Sequence, residues 1–291
     1  MSKRFYIIDG HSQFYQAFYA IRGLTTPEGQ PINAVYGFTR MLRKIIKEHK
    51  PYYLAIAFDA KGPTFRHLEY KEYKSHRKPA PDELISQIPL MFDIIKGYNI
   101  PLFVYEGYEA DDIIGTISKK VSSFNIECVI ITTDKDMEQL VDKNIKILNL
   151  KKGVIIDVEK IRKEKGIEPK NIIDVLALGG DNSDNIPGIP GIGYKTALSL
   201  IREWKSMDNV FLNVDKINGK KKKENLSKHE ELAKLSKRLA TIDTDVPLDL
   251  NIESCRLASF DNDRLKELFT KYGFNSFLAS NDDMLLNETK N

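Results

Sequence analysis

The sequence predicts an α/β fold with a mainly parallel sheet, and three observations support this class. Short β-rich runs alternate with helical patterns as far as about residue 150, which is typical of βαβ units. The chain has 291 residues, enough for one large domain or two smaller ones. Clusters of carboxylates begin where four strand-like runs stop, as expected at the common edge where parallel strands end.

The predicted elements of this region follow from local patterns. Strands are predicted where β-branched and aromatic residues cluster, and helices where apolar residues recur at helical spacing. Residues 60–81 interrupt the alternation because they are charged and poor in aliphatic side chains. We expect there a long excursion from the ligand-binding edge, mobile unless something binds it. The predicted strands cover 4–9, 53–58, 101–105, 127–133 and 145–149, and the predicted helices cover 33–49, 82–97 and 110–124.

The second half of the chain is predicted to be helical. Pro169 stands where a first helical turn accepts proline, and a glycine-punctuated turn and a lysine-rich segment follow it. Residues 260–278 predict one more amphipathic helix that packs on the body, and the polar end, 280–291, is expected to fray. We therefore predict a core of residues 1–168, a helical subdomain of residues 169–260, and a C-terminal helix and tail of residues 261–291.

Charge is unevenly distributed along the chain. The net charge is only +3, so a wholly basic DNA-coating protein is unexpected. Between Lys61 and Lys78, however, six Lys or Arg residues stand against two Glu, and four lysines occupy 220–223. An acidic edge flanked by basic surfaces suits a polyanion as the ligand.

The cysteine content and the lack of long apolar runs argue against disulfides, thiolate metal sites and membrane segments. Cys128 and Cys255 are the only cysteines, which makes a structural disulfide or a thiolate metal site unexpected. The sequence contains no apolar stretch of signal-peptide or transmembrane length, so we expect a soluble cytoplasmic protein that does not enter membranes. Trp204 and Phe211 are expected in the core of the helical half.

Nine carboxylates form the candidate metal site. So many unpaired acids cannot share one pocket without cations, and oxygen ligands suit hard divalent metals. Taken singly, the clusters also have structural interpretations, because acids in a first helical turn complement the helix dipole and one aspartate can cap a helix. The joint pattern favours the metal site. The nine acids are Asp9, Asp59, Glu109, Asp111, Asp112, Asp134, Asp136, Asp181 and Asp184.

The glycine-rich sequence IPGIPGIG follows directly after the last two acids. Its glycines allow close approach of a ligand, and the amides at the start of the next helix are anion-binding donors. Lys195 lies just inside that helix. A glycine-rich turn can also be a simple connection between helices, but its lysine favours a sequence-independent contact with a nucleic-acid backbone.

Several motifs together resemble the flap endonuclease family, and within it the 5′-nuclease domains of bacterial DNA polymerase I. They are IIDGHS, AVYGF, FDAKGPTFRH, YK-x-x-R, GYEADD, TTDKDMEQL, GGDNSDNIPGIPGIGYKTA and LATIDTDVPL, in this order. The resemblance extends from about residue 4 to 278. It implies a PIN-like core whose mainly parallel sheet is flanked by helices, a helical arch over the active site, and a C-terminal helix-hairpin-helix subdomain.

The resemblance also implies roles for individual residues. All nine acids match the family's metal ligands. The arch and its base would supply the catalytic groups Arg66, Tyr73, Lys74 and Arg77, and the hairpin would bind DNA through Gly188, Gly191, Gly193 and Lys195, where relatives hold a potassium ion against a DNA phosphate. For Tyr70 and Tyr73 two interpretations stay open, stacking on the bases of a threaded single strand or packing of the arch on itself.

The expected function is therefore that of a metal-dependent 5′-3′ exonuclease and 5′-flap endonuclease acting as a monomer in replication and repair. It would hydrolyse phosphodiester bonds in branched or nicked DNA, or in RNA primers on DNA. Two Mg²⁺ or Mn²⁺ ions roughly 3.5–4 Å apart would activate water and stabilise the leaving oxygen. Two alternatives are a DNA-junction-binding module with little catalysis and a PIN-type ribonuclease.

Overall fold

The computed structural model describes residues 3–279, and within them six strands form one sheet. The strand order is β3-β2-β1-β4-β5-β6; the first five strands are parallel, and β6 runs antiparallel to β5. The predicted mainly parallel sheet is confirmed. The strands are β1 (Arg4–Asp9), β2 (Tyr53–Ala57), β3 (Leu102–Phe103), β4 (Glu127–Ile131), β5 (Ile145–Asn149) and β6 (Val154–Ile156).

Helices cover both faces of the sheet and make up most of the C-terminal half. Short 3₁₀ helices connect them at Asp136–Leu140, Pro169–Asn171, Val214–Lys216 and Ile252–Cys255. The α-helices of the described residues are α1 (Gly10–Ala20), α2 (Asn33–His49), α3 (Phe65–Glu69), α4 (Asp82–Ile85), α5 (Ile88–Gly97), α6 (Ala110–Ser123), α7 (Val158–Lys165), α8 (Ile172–Gly179), α9 (Tyr194–Trp204), α10 (Met207–Leu212), α11 (Lys220–Lys228), α12 (Glu230–Ala240), α13 (Asn262–Tyr272) and α14 (Asn275–Leu278).

Two apolar cores lie on opposite faces of the sheet. Successive side chains of β1 alternate between them, with Phe5 and Ile7 in one and Tyr6 and Ile8 in the other. The first core includes residues of α6, α8, α9 and α12, and the second includes residues of α2, α5 and α13. Because helices cover both faces of the sheet, the carboxyl edge of the strands is where polar side chains remain accessible, as in other parallel sheets.

The predicted helix over 82–97 is wrong in one respect, because the structure has two helices there, α4 and α5. The break falls at Ser86 and Gln87. The Gln87 side chain is fully buried, and its Oε1 accepts a hydrogen bond of 2.8 Å from the backbone N–H of Ala34, in the first turn of α2. The Gln87 side chain caps the free amides of another helix, a contact between residues far apart in the sequence. The sequence around residue 87 therefore gives little indication that the helix is interrupted there.

Other predicted bounds also changed. The strand expected over 101–105 is reduced to the two residues of β3, and β4 ends at Ile131 instead of residue 133. Helix α1 and strand β6 were not predicted. The C-terminal helix expected over 260–278 is divided into α13 and α14, because Gly273 adopts a φ of 73° and ends α13. Leu265 of α13 lies against Gly97 of α5, and the predicted C-terminal unit of residues 261–291 stays a prediction.

The helical half shares its core with the sheet. Trp204 and Phe211 pack against apolar residues of this half, as predicted, but the same cluster continues to Phe5 and Ile7 of β1. The division at residues 168 and 260 stays a prediction. The polar end expected to fray, 280–291, lies outside the described residues. None of the described helices combines the length and apolar composition that crossing a bilayer requires.

Candidate metal and nucleic-acid site

The carboxyl edge of the sheet collects acids from separate parts of the chain. β1 ends with Asp9, β2 leads to Asp59, and β4 leads to Asp134. The acids are close enough to repel one another, since burial and then Asp59 and Asp134 raise the pKa of Asp9, and burial and then Asp134 and Asp181 raise that of Asp136. The predicted convergence of strand-end acids is therefore confirmed as geometry, while their role as metal ligands stays a prediction.

Asp9 is held in place by its own helix and by the neighbouring strand. Its side chain accepts hydrogen bonds from the backbone N–H of Ser12 (3.0 Å), at the start of α1, and from the Thr132 hydroxyl (2.7 Å) after β4. Burial is the main cause that raises the pKa of Asp9 to about 7, a net value to which the two hydrogen bonds contribute by lowering it and the nearby carboxylates by raising it. The carboxylate is thus fixed in orientation but unfavourable as an isolated charge.

Asp111, Asp136 and Asp181 have the chemistry of an unneutralised anionic pocket. Burial and neighbouring carboxylates raise the pKa of Asp136 to about 7 and the pKa of Asp111 well above its usual value. One buried oxygen of Asp136 and one of Asp181 receive no hydrogen bond, although the Lys135 ammonium lies 3.7 Å from the latter. Buried carboxylate oxygens without donors suit a hard cation. The part of the acidic edge formed by Asp111, Asp136 and Asp181 therefore fits a divalent metal.

Glu109 and Asp184, by contrast, are neutralised by groups of the segment 60–81. Lys74 Nζ lies 2.6 Å from Glu109 and 3.6 Å from Asp184, and Arg77 lies 2.5 Å from Asp184. The Tyr73 hydroxyl oxygen lies 3.1 Å from Glu109 and 3.2 Å from Asp184, so its single proton is shared between the two acids. Burial would raise the pKa of Asp184, but the charges of Lys74 and Arg77 hold it below its usual value.

The segment 60–81 folds back on the site and contributes buried side chains. Arg66, in α3, is 2% exposed and Tyr73 is 3% exposed, which the charged composition did not lead us to expect. Lys74 adopts a φ of 54°, and its backbone N–H donates to the Asp184 carbonyl (2.9 Å). Tyr70 is partly buried against the same core. In this conformation both tyrosines pack within the protein, which favours the packing interpretation over base stacking.

The resemblance implied that Arg66 is a catalytic group and that Asp112 is a metal ligand, but in the structure these two side chains bind each other. Their side chains form a two-fold fork, with two N–O distances of 2.7 Å. The two Asp112 oxygens also accept from the backbone N–H groups of Glu109 (3.1 Å) and Asp243 (2.8 Å). Arg66 therefore does not face the open site, and Asp112, which is fully buried, has no unused acceptor position for direct metal ligation.

His11 belongs to the site but was not predicted. Its Nδ1 lies 3.1 Å from Asp59, and its ring stacks on Tyr15 with 4.7 Å between the ring centroids. Burial and the nearby cations Lys74 and Arg77 lower the pKa of His11, while Asp59 raises it. One signal could have identified this residue, because His11 follows Asp9 by two positions and would precede Tyr15 by one turn if α1 had been predicted.

The predicted hairpin divides into a buried and an exposed part. Gly188 is buried with φ 60°, and a Cβ there would lie 2.3 Å from the backbone nitrogen of Gly180, so only glycine fits. Gly191, with φ 77°, Gly193, the N-cap residue of α9, and Lys195 are exposed. This surface combines free helix-start amides with a lysine, the arrangement expected of an anion-binding helix start.

Comparison with known proteins identifies the family. Residues 4–166 match the model for the 5′-3′ exonuclease, N-terminal resolvase-like domain, and residues 167–263 match that for the 5′-3′ exonuclease, C-terminal SAM fold. DNA polymerase I of Bacillus caldotenax is 41% identical over 295 residues, which cover 100% of this chain and 34% of that protein. The 5′-3′ exonuclease of Aquifex aeolicus is 38% identical over 280 residues, 96% of each chain. The chain thus spans about a third of the former and nearly all of the latter.

Solved structures show the same fold at low sequence identity. The bacteriophage T5 flap endonuclease, solved as a pseudo-enzyme-product complex with DNA and metal ions, has a TM-score of 0.72 at 18% identity, covering 92% of this chain and 98% of that chain. The catalytic core of Rad2 in complex with DNA substrate has a TM-score of 0.60 at 18% identity, covering 96% and 92%. The resemblance and the α/β fold predicted from the sequence are therefore confirmed, and the chain belongs to the 5′-3′ exonuclease family.

Proposed function

We propose that this protein is a structure-specific 5′-3′ exonuclease and 5′-flap endonuclease that acts on branched or nicked DNA, and on RNA primers annealed to DNA, in replication and repair. The strongest support is the carboxyl edge itself, where the acids at the ends of β1, β2 and β4 share one edge with Glu109 and Asp184, which pair with Lys74 and Arg77. Family membership gives the class of reaction, and the T5 and Rad2 nucleases were solved with DNA. The expected cytoplasmic location and monomeric state belong to the same proposal.

We propose that the acids hold two Mg²⁺ or Mn²⁺ ions, consistent with the metal ions bound by the T5 enzymes. When bound, such ions supply a nucleophilic water and stabilise the leaving 3′ oxygen. Asp112 would act only through Glu109 and Arg66, because its acceptor positions are filled. Asp9 would arrange the site, Asp59, Glu109 and Asp111 would hold one ion, and Asp134, Asp136, Asp181 and Asp184 would support the other.

The segment 60–81 would supply positive charge to the scissile phosphate. Lys74 and Arg77 would neutralise charge that develops on the phosphate during cleavage, and Tyr73 would orient Glu109 and Asp184. Among residues 3–279, no three potential ligand side chains enclose an ion as they stand. Since Lys74 Nζ contacts Glu109 and Asp184, a cation or phosphate that enters this half would compete for these contacts and release the ammonium toward the substrate.

The hairpin would hold the DNA backbone at a second point. Gly191, Gly193 and Lys195 present amides and one charge to solvent and would contact a phosphate without reading sequence. A K⁺ ion between the hairpin and that phosphate, as implied by the resemblance, is part of the proposal. The buried Gly188 would instead shape the turn, because a larger residue would collide with Gly180.

Cleavage of a labelled flap tests this function. The purified chain is incubated with a 5′-end-labelled flap in Mg²⁺ or in excess EDTA, beside the same flap annealed without its upstream strand. We expect metal-dependent cuts near the junction that decrease when the upstream strand is missing. Tight binding without cleavage in Mg²⁺ or Mn²⁺ would favour a DNA-junction-binding module, and cleavage of single-stranded RNA alone would favour a PIN-type ribonuclease.

A further inference from the structure

Arg66 is a buried junction between three parts of the molecule. Its guanidinium starts from α3, at the base of the segment 60–81, and pairs with Asp112 in the first turn of α6. It also donates to the carbonyls of Leu239 (2.9 Å) and Thr241 (2.7 Å), at the end of α12. One side chain therefore ties the base of this segment and the acidic edge to the helical half.

Every hydrogen-bonding position in this pair is used. The fifth Arg66 contact is to Glu109, at 3.4 Å, so the five N–H hydrogens of the guanidinium all face acceptors. Asp112 receives four hydrogen bonds, two from Arg66 and two from backbone amides. No donor of Arg66 remains for a phosphate.

The helix that Arg66 contacts also supports the hairpin. α12 buries Ala233, Ser236 and Leu239, and its residues share a core with α8. The Ser236 hydroxyl accepts a hydrogen bond of 3.0 Å from the backbone N–H of Gly188. A continuous set of contacts thus leads from the hairpin through α12 and Arg66 to Glu109.

We propose that Arg66 is a positioning residue that fixes Glu109 and Asp112 relative to the helical half, so that Glu109 points into the acidic edge. This inference rests on the proposed function, which it deepens by assigning Arg66 to the orientation of a candidate metal ligand and not to contact with the substrate. Lysine cannot replace it, since an ammonium has three donors and no fork geometry.

The test compares Arg66→Lys with Arg238→Lys, a matched control. Arg238 joins the same two elements through an exposed pair with Glu69 of α3 (2.5 Å), and exposed pairs contribute little. For each variant, Mn²⁺ binding to the DNA-free protein is measured by electron paramagnetic resonance. Single-turnover cleavage of the flap, its KM and thermal stability are measured in parallel.

We expect Arg66→Lys to weaken Mn²⁺ binding about tenfold, as for other groups that orient metal ligands. We expect it to slow single-turnover cleavage about 100-fold through misplacement of Glu109, with KM changed less than about threefold because the hairpin surface is intact. Arg238→Lys should match the wild type in all three.

Several results would overturn the inference. They are Mn²⁺ binding and turnover of Arg66→Lys within about twofold of the wild type, equal losses in Arg238→Lys, or losses that follow the unfolded fraction alone. If Arg66→Lys does not fold, Asp112→Glu keeps the buried charge pair but displaces it, and the same outcomes decide. If the wild type binds Mn²⁺ but cuts no flap, the proposed function fails, while the comparison of Mn²⁺ affinities still decides this inference.

Discussion

The two halves of the acidic edge differ in how their charge is neutralised. In one half, the charged neighbours of Asp9, Asp111 and Asp136 are mainly other carboxylates, and the pKa of each acid is raised. In the other half, Glu109 and Asp184 lie against Lys74 and Arg77, and the pKa of Asp184 is lowered. The first half needs cations from solution, whereas the second receives positive charge from the protein.

The difference indicates a division of labour between the halves. Buried carboxylates that repel one another destabilise the folded protein until a metal ion binds. The acids of this half should therefore affect both metal binding and the stability of the metal-free protein. Lysine and arginine at the other half should matter for the charge of the reacting phosphate. Changes in the two halves should therefore give different patterns of loss.

The largest effect is expected from Asp134→Asn in the carboxylate half. Loss of one charge among the candidate metal ligands should reduce flap turnover by about 100-fold to 1000-fold, while affinity for the DNA stays within about threefold because phosphate contacts lie elsewhere. Single-turnover kinetics and a binding titration in EDTA measure the two quantities. Asp263→Asn, on the exposed surface of α13, is the control. Turnover near the wild-type value would exclude Asp134 from the metal site.

Lys74→Ala tests the half that the protein itself neutralises. Turnover should fall about 100-fold because charge on the phosphate is no longer offset, with a much smaller loss of duplex binding. Lys71→Ala changes an exposed lysine of the same segment and should leave turnover unchanged. If binding and turnover of Lys74→Ala decreased by the same factor, the lysine would serve in binding and the proposed division would be wrong.

The pH dependence of stability should identify the carboxylate half. Asp9 and Asp136 have a pKa of about 7 in the folded protein and about 4 when unfolded. Between these values the folded state binds more protons at each of the two groups, so the stability that each group contributes is fully present at low pH and is lost as the pH rises through 7. In EDTA we expect the free energy of unfolding to fall by about 1 kcal/mol for each group between pH 6 and 8.

Asp136→Asn should remove its share of this loss and stabilise the metal-free protein at pH 8, even though it impairs cleavage. Urea denaturation at pH 6 and pH 8, with EDTA and then with Mn²⁺, checks both points, because bound cations should flatten the dependence for the wild type. A wild-type stability that rose between pH 6 and 8 in EDTA would contradict the uncompensated character of this half.

The smallest effect is expected outside both halves, at the hairpin. Lys195→Ala should weaken duplex binding about threefold and lower the slope of log affinity against log salt by about 1, with turnover at saturating DNA unchanged. Lys163→Ala, an exposed lysine of α7, is the control. An unchanged salt slope for Lys195→Ala would remove this lysine from the DNA surface.

The sequence predicted the parts of the site that depend on strand ends. Asp9, Asp59 and Asp134 each follow a hydrophobic run, and a parallel sheet brings such positions together whatever the detailed packing. The hairpin glycines were also visible in the sequence as repeats within IPGIPGIG, and Gly188 and Gly191 do adopt positive φ in the structure.

Features that depend on distant partners were not predictable. The resemblance gave Arg66 as a catalytic group and Asp112 as a metal ligand, and only the folded structure shows that the two side chains pair with each other and that Arg66 also binds the end of α12. The interruption at Gln87 depends on the amides of α2, and the burial of Tyr73 depends on Glu109 and Asp184. Local patterns contain no information about such contacts.

Both outer strands of the sheet are short, and this has a consequence for behaviour at high concentration. β3 has two residues and β6 has three, so each rim offers few unpaired amides and carbonyls to another molecule. Long open rims promote strand addition and aggregation, and short ones resist it. We expect concentrated solutions of the protein to remain free of β-rich aggregates, which would allow scattering or NMR measurements of the metal-free form.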